Sequence, residues 1–461
     1  MPLQLAASCP ACGAPIGLGA AETAVRCDRC QCAHLALRGG GKTVAQLAGR
    51  TTREEAGELA RAALDDEIRR RGKAGAGAVV ESVVEFEAPV RVLVARLHEA
   101  AVVRGAGGDP AAEVTSRLVE RAVTALRDPL GLPTTPPLGE IDARALVVVS
   151  RRTATAPPFD ADDAAFEADA DRVQAAHPGV APPLVRHSVA FPLARLLVLR
   201  PCRLVAVSSG RSRASVLVDG AAREATALLS QAAAEALREE LVDRPLPASS
   251  APALRPMRCP ECASDFPLDR EGQLRICLAC RRAWLVTGRR LLLLPYHAEL
   301  PPTPRGRLLV PAWRLPFTLR DPRDGGEASA VADVARRCGE APAGEAGAPD
   351  VLDVPAFRPA DRRRERQGLQ GFASLPPPSF PLFEGPARGE AGFPEPRAVG
   401  AVGPGEAASV VRHALLAALR PETVALASAR RLKALLFDGL LRTGPPRLVL
   451  RAIRRAEAEG S

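Results

Sequence analysis

Eight of the eleven cysteines fall into two copies of one pattern, C-P-x-C-x14-C-x-x-C. The first copy is Cys9-Pro-Ala-Cys12 followed by Cys27-Asp-Arg-Cys30. The second is Cys259-Pro-Glu-Cys262 followed by Cys277-Leu-Ala-Cys280. The offset is 250 at each ligand position, and it also matches Pro10 with Pro260, Leu18 with Leu268, Ala33 with Ala283 and Leu35 with Leu285. A C-x-x-C turn aims two thiolates at one point. A hairpin-length gap brings up a second such turn, and four sulfurs at about 2.3 Å complete a tetrahedral cage. Four thiolates favour Zn²⁺ or iron and leave no position for water, so the chemistry is architectural. The cysteines predicted to hold metal are therefore Cys9, Cys12, Cys27 and Cys30 in one set, and Cys259, Cys262, Cys277 and Cys280 in the other.

Both segments resemble zinc ribbons, small three-stranded modules with four cysteine ligands. The resemblance rests on the C-P-x-C turn, the hairpin-length gap and the apolar strand after the last cysteine. It covers about 70 of the 461 residues. It implies two structural Zn²⁺ ions, with metal binding supplying much of each module's folding free energy. It implies no single function, because ribbons serve transcription factors, transposases, tRNA-modifying enzymes and ribosomal proteins alike. Disulfide-stapled hairpins, redox-active pairs and a rubredoxin-like iron site are the alternatives for the same cysteines. The absence of an export signal, the grouping in fours without a βαβ context and the scarcity of aromatic residues weigh against them in turn.

Other residues could do chemistry but lack its context. Cys32 and His34 follow the first cage and read as strand residues just outside it, since the second module has Arg282 and Trp284 there. Cys202 and Cys338 are isolated and read as small buried hydrophobes. Ala36-Leu-Arg-Gly-Gly-Gly-Lys42-Thr43 fits a loose phosphate-loop pattern. The strand before it belongs to the first module and only a weak helix is expected after it, so it reads as a linker. Phe159–Asp171 gathers six acidic residues without the glycine and terminal glutamate of a calcium loop, and reads as the solvated first turn of a helix. Val310–Arg314 (VPAWR) recurs as Val354–Arg358 (VPAFR), read as two strands of one sheet. The six histidines are scattered, and no H-E-x-x-H, G-x-S-x-G or G-x-G-x-x-G motif stands out. No assembled nucleophile, base or oxyanion hole is visible, and the chain leans away from being an enzyme.

The elements that must position these residues follow from pattern. The expected fold is α+β (or α/β) and multidomain, with the two ribbons (1–38 and 257–294) flanking a mixed central α/β-type domain (78–243). A charged helix and linker fill 52–72, opened by a capping box at Thr52 and Glu55. Within the central domain, Val79–Phe86 and Val90–Leu97 read as two strands. Asp109-Pro110 reads as the start of a helix reaching about Arg127, and Ala221–Leu241 as a long helix. A Pro/Ser/Ala linker is expected over 245–256. A Pro-rich β or irregular region is expected over 295–402, with disorder around 339–349 and 385–405. The end, 405–456, reads as a helical hairpin and closing strand. Its second helix opens at Pro421 and places Leu432, Leu435, Leu436 and Leu440 on one face.

Composition sets the bounds. At 461 residues, 47% of them apolar, the chain has room for two to four domains and is not wholly disordered. The net charge of +9 carries almost no lysine (Lys42, Lys73 and Lys433), and the mix of Ala, Gly, Pro and Arg suits a GC-rich genome more than a polyanionic ligand. No uncharged run approaches the roughly 18 residues of a membrane span. The first residues lack a basic leader, so a cytoplasmic protein is expected. The expected function is a non-enzymatic zinc-binding scaffold with a protein partner. The alternative is a zinc-ribbon regulator binding nucleic acid through Arg26, Arg29, Arg281 and Arg282. The third reading is an enzyme built in the central domain around His98, His177 or His187.

Overall fold

The computed structural model describes residues 4–38, 42–72, 77–104, 110–125, 146–149, 152–175, 185–210, 212–249, 252–270, 272–288, 290–299, 307–338, 352–356, 382–384, 399–400, 403–419 and 429–454. Strands dominate, most pairs are antiparallel, and helices lie against the sheets, so the fold is α+β.

The chain begins with a hairpin, β1 (Gln4–Ser8) and β2 (Pro15–Gly19), then β3 (Ala24–Arg26), β4 (Ala33–Leu37) and β5 (Thr43–Leu47). Helix α1 (Arg53–Arg70) follows. Thr52 accepts the Glu55 N–H while Glu55 accepts the Thr52 N–H, closing the capping box. Ala56, Ala60, Leu64 and Ile68 are buried on one face, against Val205, Val207, Val216 and Val218.

Two long strands organise the middle of the molecule. β6 (Val79–Arg104) has 26 residues and replaces the two strands expected there. β10 (Val185–Ser209) has 25 and pairs with β6 antiparallel from Val185↔Val102 to Ser208↔Val79. Register shifts at Pro192/Ala194 and Ala206/Val207 let so long a ladder bend. β7 (Pro110–Thr124) pairs along the other edge of β6. The helix expected from Asp109 is thus a strand. Its run of Val114, Leu118, Val119 and Val123 suits β pairing, and the adjacent β6 edge satisfies its backbone. β8 (Leu146–Val148), β9 (Thr153–Ala156), α2 (Asp163–Ala175), β11 (Ser212–Asp219), β12 (Glu224–Leu229) and α3 (Gln231–Glu240) complete the region. The helix expected over 221–241 is therefore half strand. Its break falls at Ser230, which caps α3 by accepting the Ala233 N–H. The nine-stranded sheet runs β12-β11-β10-β5-β8-β1-β2, with β6 and β7 joined through β10.

The 245–256 segment does not simply link. β13 (Val242–Pro245) pairs with β9, and β14 (Ala253–Pro256) pairs antiparallel with β4. The second cysteine module carries β15 (Leu274–Ile276), β16 (Ala283–Thr287) and β17 (Arg290–Leu294).

The last region holds β18 (Tyr296–Glu299), β19 (Arg307–Leu315), β20 (Phe317–Arg320), β21 (Glu327–Ala328), α4 (Val331–Cys338), β22 (Leu352–Pro355), β23 (Leu382–Glu384) and β24 (Val399–Gly400). Helices α5 (Pro404–Ser409) and α6 (Val411–Ala418) follow. α7 (Ala429–Leu432) continues into a π-turn, Lys433–Phe437, and β25 (Leu440–Thr443) and β26 (Arg447–Arg454) close the chain. The two VPA segments do pair: β19 and β22 are antiparallel with Trp313 opposite Val354. Phe357 and Arg358 of the second copy lie outside the described residues, as do 339–351, 385–398 and Pro421. Leu432, Leu435 and Leu436 are fully buried, but Leu440 is 53% exposed because the helix ends before it and β25 begins.

Candidate metal centres

Each set of four cysteines converges. Within each set all four Sγ atoms lie within 4.8 Å of one another. Cys9 and Cys30 Sγ are 3.6 Å apart, as are Cys12 and Cys27; Cys259 and Cys280 are 3.6 Å apart, and Cys262 and Cys277 3.4 Å. These separations are of the length that separates two sulfur ligands of one tetrahedral metal ion, so each set could hold such an ion. The arrangement fits a zinc ribbon-like motif.

The backbone explains why the thiols meet. In all four turns the first cysteine's N–H donates to the carbonyl five positions on: Cys9 to Ala14, Cys27 to Cys32, Cys259 to Ser264, Cys277 to Arg282. Its carbonyl accepts the N–H four positions on, from Gly13, Gln31, Ala263 and Arg281 respectively. Those four residues are left-handed, with φ of 72°, 60°, 59° and 58°. The offset between the two copies therefore holds for hydrogen bonds and φ angles as well as for cysteines. Of the four, only Gly13 takes this conformation without steric cost.

The electrostatics of the thiols come from the same geometry. The backbone N–H of Cys30 helps hold the Cys27 thiol down at about 7. The Ser264 hydroxyl and N–H hold Cys262 at about 6. Burial raises Cys280 to about 12. Each set thus contains one thiol biased to the thiolate, Cys27 or Cys262, and two biased to the thiol, Cys12 and Cys30 in the first set and Cys277 and Cys280 in the second. A divalent cation would remove that conflict by taking all four as thiolates.

The two modules are not separate bodies. β14, which leads into the second cage, is the third strand of the first module's sheet, in the order β14-β4-β3. Ala24, Leu35 and Leu37 of the first module share a core with Cys259, Phe266, Cys277, Cys280 and Trp284 of the second. Thr23 and Ala24 donate their N–H groups to the Arg270 carbonyl at 2.6 and 3.2 Å. Arg275 is completely buried and donates to the Asp269 and Pro267 carbonyls and the Thr23 hydroxyl. Sequence reading missed this joint, because nothing in the cysteine spacing reports which partner an apolar strand finds.

The surroundings of the cages differ. His34 is buried with Nε2 3.3 Å from Cys9 Sγ. Trp284, its counterpart in the second module, is buried, and its Nε1 has no partner among the described residues. Cys32 is exposed, and Cys202 and Cys338 are buried. Burial pushes the Cys202 thiol up to about 11.

The remaining motifs resolve as follows. Thr43–Leu47 after Lys42 is strand β5, not a helix, so no helix N-terminus follows the glycines. Lys42 sits 3.3 Å from Asp163. Asp162 accepts the Ala165 N–H at the start of α2, and Asp163 is exposed, as a solvated first turn requires. Asp169 departs from that reading: it is 1% exposed and ion-paired with Arg91 at 2.8 Å. Arg314 of VPAWR forks onto Asp353 with two 2.8 Å bonds. Asp353 also meets Arg451, which bonds Glu299 at 2.8 Å.

The histidines are less scattered than the sequence implies. His98 lies 3.0 Å from Glu406 and its ring is 6.5 Å from that of His413, which in turn meets His187, while His177 lies outside the described residues. Glu406 and His413 are at most 1% exposed and His98 is 6% exposed, so these three are closed to solvent. A cavity of about 260 Å³ elsewhere is lined by Gln46, Glu85, Glu87, Thr155, Cys202 and Arg203, with no histidine among its lining residues. Among the described residues, no helix is long and apolar enough to cross a membrane. No family model, no curated protein and no solved structure matches the chain.

Proposed function

We propose that this chain is a non-enzymatic scaffold in which two structural Zn²⁺ ions hold a double cysteine module rigid for a protein partner. The observation that carries the reading is the closure of both cages. Four sulfurs converge on each point, and an ion held by all four would keep no open position for a substrate or an activated water. Zn²⁺ suits such a set because it has no redox chemistry and no geometric preference that would oppose the tetrahedron. The shared core makes the two modules one platform, with knuckle loops and strand edges fixed relative to each other.

A protein partner is favoured over nucleic acid by local charge. Arg258, Arg270 and Arg282 sit 3.2, 3.4 and 3.5 Å from Asp265, Glu22 and Glu261. Carboxylates beside these arginines blunt the positive potential that a phosphate backbone needs. The exposed Leu278 at the tip of a second-module knuckle is an apolar contact point of the kind a protein interface buries.

The test is capture by the metal-loaded chain from nuclease-treated extract, followed by crosslinking. Crosslinks of one discrete protein to residues 258–283, lost in Cys277→Ser and unmoved by nuclease, support the proposal. Salt-sensitive binding to a duplex or single strand, lost in Arg281→Ala/Arg282→Ala, would instead establish the nucleic-acid reading.

A further inference from the structure

The ends of the two long strands meet the C-terminal region at the histidine group. Ala100 and Val102 of β6 enter a core shared by β18, β19, β20, α4, α5, α6 and the π-turn with Leu274, Ile276 and Ala283 of the second cysteine module. His187 on β10 faces His413 on α6. His413 Nε2 is 3.3 Å from the His187 carbonyl oxygen and 3.4 Å from His187 Nδ1. A carbonyl only accepts, so His413 carries its proton on Nε2 and shares it between the two acceptors. His187 Nδ1 must then hold a lone pair. His413 Nδ1 is buried with no hydrogen-bond partner among the described residues. The His187 ring also stacks on Phe437, centroids 4.8 Å apart and planes 11° apart.

We propose that this imidazole pair is an acid-released latch joining the tip of the β6–β10 ribbon to the C-terminal region. A proton on His187 Nδ1 converts the acceptor into a second donor facing the His413 N–H, and the bond becomes a donor–donor clash. A proton on His413 Nδ1 places a full charge in a buried site with nothing to receive it.

The charges around the pair oppose protonation. From β6, Arg96 and His98 are both committed to Glu406 of α5, at 3.3 and 3.0 Å. Glu99 is held by Arg117 of β7 and Arg186 of β10. From α6 itself, Arg412 donates to the Leu436 and Gly439 carbonyls and adds positive charge beside both rings. Lys433 and Asp438 of the π-turn pair with each other, as do Arg337 and Asp324 at α4. Asp353 of β22 is taken by Arg314 and Arg451. Burial and then Arg412 lower His187; burial and then His187 and His98 hold His413 at about 3. A metal is a poorer occupant than a proton: among the described residues, no three donors of this group lie within 4.8 Å of one another, and Arg96 and Arg412 would repel it.

The sign follows from the depressed values. An undocked histidine protonates near its ordinary value of about 6.5. The docked state therefore keeps its full stability above that pH and loses it as pH falls, by up to tenfold per pH unit for each histidine. On the metal-loaded full chain, hydrogen exchange is measured from pH 8 to 5 and corrected for intrinsic rates. Exchange in 97–104, 185–190 and 404–418 should accelerate at least tenfold between pH 7 and 5, while β19 and β26 keep their protection. His187→Asn retains an acceptor near the Nδ1 position that does not titrate, and should shift the transition down by a pH unit or more. Histidine ¹⁵N shifts give a second reading that needs no variant: both rings stay neutral until the tip amides open. Two rings titrating near 6.5 with the tip still protected would overturn the latch. So would an acid transition that opens β19 and β26 together with the tip.

Discussion

At the scale of single residues, the two cages depend on four left-handed backbone positions as much as on eight sulfurs. Gly13 occupies one of them, and a Cβ built there meets nothing within 4 Å, so an alanine there would incur a conformational cost without a clash. Ala263, its counterpart in the second module, already bears the penalty at φ 59°. Ala263→Gly should therefore stabilise the second module by roughly 0.5–1 kcal/mol, after the entropy that glycine adds to the unfolded chain. Gly13→Ala should destabilise the first by a similar amount. Denaturant midpoints of the metal-loaded protein check both, and equal signs for the two changes would contradict the shared geometry. The convergence of the eight cysteines was legible in sequence because metal chemistry demands fixed residue types at fixed spacing. The contact of His34 with Cys9 was not, since an imidazole nitrogen beside a sulfur leaves no periodic trace.

At the scale of elements, the departures from the sequence reading share one cause. Asp109-Pro110 carries a good helix-start signal, yet the residues after it pair with the open edge of β6 and become β7. The alanine-rich run after Ala221 pairs with β11 before Ser230 allows a helix to start. Local propensity is weak beside a long unpaired strand edge, and such an edge cannot be seen from a short stretch of sequence. α1 was legible because its capping box and apolar face are both local. The Arg–Asp network of the C-terminal sheet was missed because it joins Glu299, Arg314, Asp353 and Arg451 from four strands. Arg451 is 2% exposed, so Asp353→Ala leaves a buried guanidinium short of a counter-charge and should cost about 3–5 kcal/mol. Denaturant unfolding of the metal-loaded variant measures that loss. The shared core of the cysteine modules gives another expectation at this scale. Cys277→Ser should lose the second ion and also hasten chelator stripping of the first, because Ala24, Leu35 and Leu37 pack on that cage. An unchanged stripping rate for the first site would show the modules to be independent.

At the scale of the whole molecule, the β6–β10 ribbon is the frame. One end packs against α1 through Val80, Val83, Val205 and Val207, and the other enters the C-terminal core through Ala100 and Val102. β1 and β2, which lead into and out of the first C-x-x-C turn, extend the same sheet at its far edge. The metal cages are therefore built into the frame, and the second is tied to the first by β14. This strand joins segments far apart in the chain, which explains why two cysteine modules expected to flank a central domain share one core. The two histidines of the latch lie on β10 and α6, outside the cysteine turns, although the core they close on also holds Leu274, Ile276 and Ala283 of the second module. The account as a whole stands on the ions. Elemental analysis of freshly purified, unchelated protein, combined with native mass spectrometry, should return two Zn²⁺ per chain, and all eight cage cysteines should be free thiols once the metal is stripped. Empty cages, iron in place of zinc, or disulfides among the eight cysteines would contradict it.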